Sequence, residues 1–366
     1  MSSLFERVIS EELEKNKLLR EKGKDIVIPF PFKRFSQYVP GTQKGRYIIV
    51  TANSKIGKTK ITDFIYLFNT IDFALSKKTN IKPKIFYFSL EISKEDKMKE
   101  AIAHKLYIDK NITLSTQQME SLFNDYILED SKLEIIKSYK EYFQYFEETV
   151  TFIDNIRNPF GIYNYMRDYA EKNGKYFDKN NEEISLSLIK SGNEKALISI
   201  DRYEPFDEDE YVIVIIDNFN ILTTELGKSL QDTIANFSSH YCLKMRDRWK
   251  YIIVGVQQQA AAQESVENIK LDKLQPSANG LGDCKLSGRD ADMMLGLFAP
   301  SRYKIRNYEG YDITKLKDNH RELSVILNRR GHAVSTQLLF NGAVNYFEEL
   351  PTVAEMTDEM YNKLLK

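Results

Sequence analysis

Four residues carry the types and spacing that could do chemistry: Lys58, Thr59, Asp217 and Glu91. Lys58 and Thr59 close the run Val50-Thr51-Ala52-Asn53-Ser54-Lys55-Ile56-Gly57-Lys58-Thr59. The spacing is that of GxxxxGK[ST], with Ala52 standing where the first glycine usually sits. A strand-like run, Arg46 to Val50, precedes it, and a helix-like run, Ile61 to Phe68, follows. In that context the backbone N–H groups from Ala52 through Asn53, Ser54, Lys55 and Ile56 to Lys60, with the N-terminus of the next helix, would cradle phosphate oxygens. Gly57 would let the backbone close on them. Lys58 would reach the β- and γ-phosphates of ATP, and Thr59 would ligate Mg²⁺. The plain alternative is an ordinary strand–turn–helix with a surface lysine.

Asp217 ends Tyr-Val-Ile-Val-Ile-Ile-Asp (211–217), the most apolar strand candidate in the chain. Such a run suits a central parallel strand covered on both faces, and its terminal carboxylate would organise Mg²⁺ with Thr59. The next residue, Asn218, cannot serve as a base. Glu91, at the carboxyl end of the strand Lys84 to Leu90, is the candidate, with that strand expected beside the phosphate-loop strand. Gln258 ends a third strand, Tyr251 to Val256 with its polar Gln257-Gln258-Gln259 end. In open α/β sheets ligands bind outside the carboxyl ends of the strands. A phosphate loop and strands ending in Glu91, Asp217 and Gln258 describe a nucleotide hydrolase.

The rest of the chain must position these residues. With 366 residues and 42% hydrophobic content it can bury a full core, as one large α/β domain with insertions or two domains at most. A formal net charge of −1 argues against an overall basic coat and leaves room for a local basic channel. Two cysteines, Cys242 and Cys284, make no disulfide framework and point to a reducing compartment. With no signal-like N-terminus and no membrane-length apolar run, a cytoplasmic protein is expected. Leu4 to Glu21 reads as an amphipathic helix, with Phe5, Val8, Ile9 and Leu13 on one face. It must pack on its own core or on a neighbour. Ser93 with Asp96 reads as a helix N-cap, and Asn158-Pro159 as a helix start. Residues 172–209 read as a polar insertion or long loop. Residues 335–347 resemble a closing hairpin. The expected division is an N-terminal helix and linker over 1–40, an ATPase domain over 41–350 and a tail over 351–366.

Several motifs, in order, resemble DnaB-type replicative helicases. Phe88-Ser89-Leu90-Glu91-Ile92-Ser93 is similar to their FSLEM segment, and Ile215-Ile216-Asp217-Asn218 to their Walker B. Val254 to Gln258 resembles their strand ending in Ser-Gln. Gly288-Arg289-Asp290-Ala291-Asp292 resembles EQDAD, and Leu327 to Gly331 their arginine-finger segment. The resemblance covers residues 28–350. It is nearest to helicases of large tailed phages of gut bacteria, which share Ile28 to Phe32 and the glutamine triplet.

The resemblance implies a RecA-like P-loop NTPase core with a mostly parallel central sheet, a homo-hexameric ring with ATP between subunits, and single-stranded DNA through the centre. It implies a finger role for Arg329, acting on the nucleotide of the next subunit. Family members usually carry a lysine two residues before that arginine; Leu327 stands there, and Arg330 is the candidate substitute. DNA would be gripped by the loop after Gln258, residues 260–288, which contains Lys270, Lys273 and Lys285. Basic residues on glycine-containing loops suit phosphate contact without base readout. A primase or a helicase loader would be a further partner, although residues 1–40 are too few for the globular primase-binding domain of bacterial DnaB proteins. A RecA-like recombinase filament and an ATP-dependent, non-motor assembly protein are the competing readings.

Overall fold

The computed structural model describes residues 4–76, 79–191, 194–271 and 273–364. Its strands begin with β1 Arg46–Ala52, β2 Lys82–Ser89 and β3 Val150–Ile153, followed by β4 Gly174–Asp178, β5 Glu183–Ile184 and β6 Ile200–Pro205. Next come β7 Glu210–Asp217, β8 Ile252–Gln258, β9 Met293–Phe298, β10 Asn307–Tyr308 and β11 Tyr311–Asp312. The last are β12 His320–Asn328, β13 Ser335–Asn341 and β14 Tyr346–Glu349. Nine of them form one sheet in the order β14-β13-β12-β9-β1-β8-β7-β2-β3. From β9 to β3 the neighbours run parallel, and β12, β13 and β14 add an antiparallel flank.

Alternation along β1 explains the layering. Ile48, Val50 and Ala52 face one core, shared with the helical residues 58–75. Tyr47 and Ile49 face the other, shared with helix Pro159–Lys172 and the helical residues 230–249. A strand buried on both faces needs apolar residues at every position, which is why β1, β7 and β8 read as unbroken apolar runs. The helices start as their sequences dictate. The Ser93 hydroxyl accepts the Asp96 N–H at 3.1 Å, and the Asn158 side chain accepts from Gly161 with Pro159 in the first turn. Ile28, Phe30 and Phe32 are buried in the first core, so the proline-spaced extended run pins the chain there.

Two expectations need correction. Residues 172–209 are not a long loop: β5, β4 and β6 form their own antiparallel sheet. Its anchor is Tyr176, buried, whose hydroxyl accepts the Trp249 indole N–H at 2.9 Å. Short strands in a polar segment leave little period-two signal to read. Second, β2 is not beside β1, because β8 and β7 lie between them. Chain order does not dictate sheet order once crossover helices are present. The helix over residues 4–21 leaves Phe5, Leu13 and Leu18 exposed; Lys15 reaches Glu208 at 2.9 Å.

Burial holds two histidines neutral. His104 lies on Phe68 with ring centroids 4.2 Å apart, and its Nδ1 faces the Asn345 carbonyl at 3.0 Å. Burial lowers its pKa to about 4 against the pull of the Val344 and Asn345 carbonyls. Burial, helped by Arg321, lowers His320 to about 4. The unfolded chain takes up these protons near pH 6.5, so the stability is fully present above that pH. It is lost as pH falls toward 4, by about 1.4 kcal/mol per unit for each histidine. His104→Phe removes one share. Its urea midpoint is expected to fall less than that of the unmutated protein between about pH 7.5 and pH 5; equal falls would mean that His104 is charged in the fold.

Candidate nucleotide site

The parallel strands end level with one another. Ser89 on β2 pairs with Asp217 on β7, Asp217 with Val256 on β8, and Val256 with Val50 on β1. The loop after β1 and the ends of β2, β7 and β8 therefore meet along one edge. The chain passes from Ala52 through a tight loop into the helical residues 58–75. Lys55 (φ +61°) and Gly57 (φ +112°) take its left-handed positions. Ala52 is still part of β1 and buried, so the missing glycine falls where no unusual backbone is required. Gly57 does need its freedom.

Three side chains that sequence reasoning missed hold the loop. Arg321, buried at the start of β12, donates from Nε to the Ile56 carbonyl at 2.9 Å and from Nη1 to the Asp318 carbonyl at 2.6 Å. Arg302 donates to the Ser54 carbonyl and pairs with Glu264 at 2.9 Å. The Tyr303 hydroxyl receives the Asn53 amide at 2.6 Å and donates to Glu264 at 2.7 Å. Two of the three brace backbone carbonyls, which carry no side-chain signature, and Arg321 lies in a strand segment, His320-Arg321-Glu322, whose polar neighbours hide it.

Thr59, in the first helical turn, donates from Oγ1 to Asp217 Oδ2 at 2.8 Å. Asp217 Oδ1 is buried and has no hydrogen-bond partner among the described residues. A buried carboxylate oxygen left open beside a threonine hydroxyl fits Mg²⁺, which takes one or two protein oxygens and completes its shell with water and substrate phosphates. Among the described residues, no group of three or more His, Cys, Asp or Glu could hold a metal without such help. Lys58 is buried next to this pair. Burial lowers its pKa below the usual lysine range, Asp217 and Glu91 pull it back, and Arg302 pushes it down further. The negative charge of an added polyanion would offset the cost of burying this ammonium.

Glu91 reaches the site although two strands separate β2 from β1. The Leu90 N–H donates to the Asp217 carbonyl at 2.8 Å, and the Asn218 amide donates to Glu91 Oε1. Glu91 is otherwise exposed. Gln258 ends β8 between them, its N–H donated to Asn220 Oδ1 at 2.8 Å. Gln257 and Gln259 turn inward instead. Gln257 donates to the Gly282 and Cys284 carbonyls at 2.8 Å each, and Gln259 to Thr51 Oγ1 at 3.0 Å and the Ser277 carbonyl at 3.1 Å. They anchor the loop over residues 260–288, on which Lys270, Lys273 and Lys285 are exposed. The Lys60 amine pairs with Glu100 at 2.7 Å, so of the loop residues expected at the phosphates it offers only its backbone.

Arg329 and Arg330 are not brought to this site. β12 runs antiparallel to β9 and ends at the level of Met293, at the amino edge of the parallel strands. Arg329 is exposed there, its Nε donating to the Ala291 carbonyl at 3.0 Å and its Nη2 to the Arg289 carbonyl. Any phosphate contact by either arginine would have to be with another molecule's nucleotide.

Solved structures share this architecture, and two of them illustrate it. The ATPase domain of G40P matches with a TM-score of 0.65 at 16% identity, covering 96% of this chain and 100% of that one. A DnaB-like replicative helicase, described with its interactions with primase, matches with a TM-score of 0.63 at 18% identity, covering 95% of this chain and 70% of that one. The fold is that of a DnaB-type ATPase domain. No family model matches the sequence, and no curated protein does. Among the described residues, no helix is long and apolar enough to cross a membrane.

The position of Ala52 in this DnaB-type fold gives a prediction. Ala52→Gly, which would restore the common motif, is expected to destabilise the protein by about 0.5–1 kcal/mol, because a strand position gains only unfolded-state freedom. Thermal melts of the two proteins check this; a higher melting temperature for the glycine variant would mean that Ala52 strains the loop.

Proposed function

We propose that this chain is an ATP-driven DNA helicase of the DnaB type, translocating on single-stranded DNA as a hexameric ring during DNA replication, in the manner of the phage helicases its motifs resemble. The observation that carries this reading is the Thr59–Asp217 contact with its open, buried Oδ1, set beside Glu91 at the carboxyl edge of a DnaB-type fold.

In this reading Lys58 and the backbone of the phosphate loop bind the β- and γ-phosphates of ATP. Thr59 and Asp217 would hold Mg²⁺, which when bound neutralises charge on the β- and γ-oxygens. Glu91, oriented by the Asn218 amide, accepts a proton from the attacking water as its oxygen bonds to the γ-phosphorus and ADP departs with the electrons of the broken P–O bond. Gln258, at the end of β8 between β7 and β1, would contact the γ-phosphate and pass its loss to the loop over residues 260–288. That loop, with Lys270, Lys273 and Lys285, would contact the DNA backbone. Arg329 would complete the site of the next subunit, with Arg330 beside it.

The deciding experiment is ATP turnover by the purified protein with and without single-stranded DNA. Turnover stimulated by DNA supports a motor, and turnover indifferent to DNA sinks it. Lys58→Ala is expected to abolish hydrolysis, and Glu91→Gln to bind ATP and hydrolyse it at least about a hundredfold more slowly. Normal turnover by Glu91→Gln would move the base elsewhere.

Lys285→Ala is expected to weaken single-stranded DNA binding about equally for all sequences and to reduce the salt slope by roughly one unit. An unchanged slope would put Lys285 off the DNA path.

Arg329→Ala and Lys58→Ala subunits should each be inactive alone. Mixed into one ring, some interfaces would join an intact phosphate loop to an intact Arg329, and hydrolysis should partly recover, since fingers supplied in trans are worth about 10³–10⁵ in rate. Full activity of Arg329→Ala alone, or no recovery in well-mixed rings, would defeat the assignment; Arg330→Ala in parallel shows which arginine acts.

A further inference from the structure

We propose that Tyr87 is a positioning residue for the Asp217 carboxylate, its hydroxyl held in place by the buried Asp63–Lys97 ion pair. The inference rests on the reading of Thr59 and Asp217 as the metal end of a nucleotide site. Thr59 and Asp63 lie four residues apart on one helix, so they share a face. Beneath that face, Tyr87 on β2 pairs with Ile215 on β7, two residues before the Ser89–Asp217 pair. The period of two along a strand puts Tyr87 and Asp217 on the same side of the sheet.

The hydroxyl sits between two carboxylates. It lies 2.8 Å from Asp63 Oδ1 and 3.2 Å from Asp217 Oδ2, and can donate to either. Lys97 Nζ donates to the hydroxyl oxygen at 3.0 Å and to Asp63 Oδ2 at 2.8 Å. That donation occupies the oxygen from the lysine side and turns the hydroxyl hydrogen toward the carboxylates. Asp63, Tyr87 and Lys97 are all buried. Burial opposes the Lys97 charge, but Asp63, Glu100 and Asp217 outweigh it and hold the ammonium above the usual lysine range.

The consequence falls on Asp217. Its Oδ2 accepts from Thr59 and, when the hydroxyl hydrogen turns that way, from Tyr87, which limits rotation of the carboxylate and leaves Oδ1 as the open oxygen. With Thr59 alone the carboxylate would keep one contact and could rotate about it. A bond needed only to pin helix Lys94–Lys110 to the helical residues 58–75 would not call for ions, because well-packed apolar side chains of similar volume do that as well or better.

The test reads metal binding. The full-length protein, in excess over ADP, is titrated with Mn²⁺ while free Mn²⁺ is followed by electron paramagnetic resonance; ADP affinity in EDTA is measured separately. Tyr87→Phe leaves the Asp63–Lys97 pair bonded. It is expected to raise the Mn²⁺ concentration at half-saturation about 10–100-fold, the usual effect of removing a partner that orients a ligand, with ADP affinity in EDTA unchanged. The double variant Asp63→Leu/Lys97→Met, which leaves no lone buried charge, is expected to move it in the same direction. An unchanged half-saturation in Tyr87→Phe overturns the proposal, as does an equal loss of ADP affinity in EDTA, which would mean a collapsed site. A double variant with the original Mn²⁺ affinity overturns the part given to the ion pair. An unmutated protein that binds ADP but takes up no Mn²⁺ overturns the reading of the site itself, and this inference with it.

Discussion

The hydrogen bond from Thr59 to Asp217 joins a helix turn after β1 to the end of β7, two places away in the sheet. It exists only if β1, β8 and β7 keep their parallel register to the residue. A slip of one residue in β7 would turn Asp217 to the opposite face, because side chains alternate. It would also carry Ile213 and Ile215 out of the core they share with the helical residues 58–75. The register is therefore enforced by burial over the whole length of the strand. The polar contact at its end is a consequence of apolar packing below it.

Packing next to the site is equally exacting. Phe219 follows Asn218 and is fully buried. A Cβ at Gly255 would come within 2.5 Å of the Phe219 ring, so β8 must carry glycine at that point for the turn after β7 to close. A Cβ at Gly280 would meet Gln259 Oε1 at 2.0 Å, so the loop over residues 260–288 can lie against its glutamine anchors only without a side chain there. Glycine is used in both places for close approach rather than for an unusual φ. In the phosphate loop the reverse holds, and Gly57 is needed for its backbone angle.

What could be read from the sequence follows from this division. The strand–loop–helix around Gly57, the apolar strands and the polar residues at their ends were legible because burial on both faces and fixed spacing leave a local pattern. The place of β2 was not, since nothing local to Lys82–Ser89 says which strand it joins; Glu91 arrives at the site through Asp217 and Asn218 rather than through β1. Lys97 and Asp63 sit in helices where charged residues ordinarily face water, and only the third dimension shows them paired beneath the site. The small sheet of β4, β5 and β6 hid for a related reason. Its strands are short, its residues largely polar, and its one deep anchor, Tyr176, finds Trp249 from far away in the chain.

The sheet also acts as a spacer. β9 is six residues long, or about 20 Å at the rise of an extended strand. Arg329 stands at its amino edge and the phosphate loop beyond the carboxyl edge of its neighbour β1. An arginine side chain spans only about a third of that length, and this one is engaged with the carbonyls of Arg289 and Ala291. The strands between are buried on both faces, so no loop movement shortens the distance while the core stays intact. Within one chain, then, the binding half of the site and these arginines cannot meet. A chain that used both would have to present them to different neighbours.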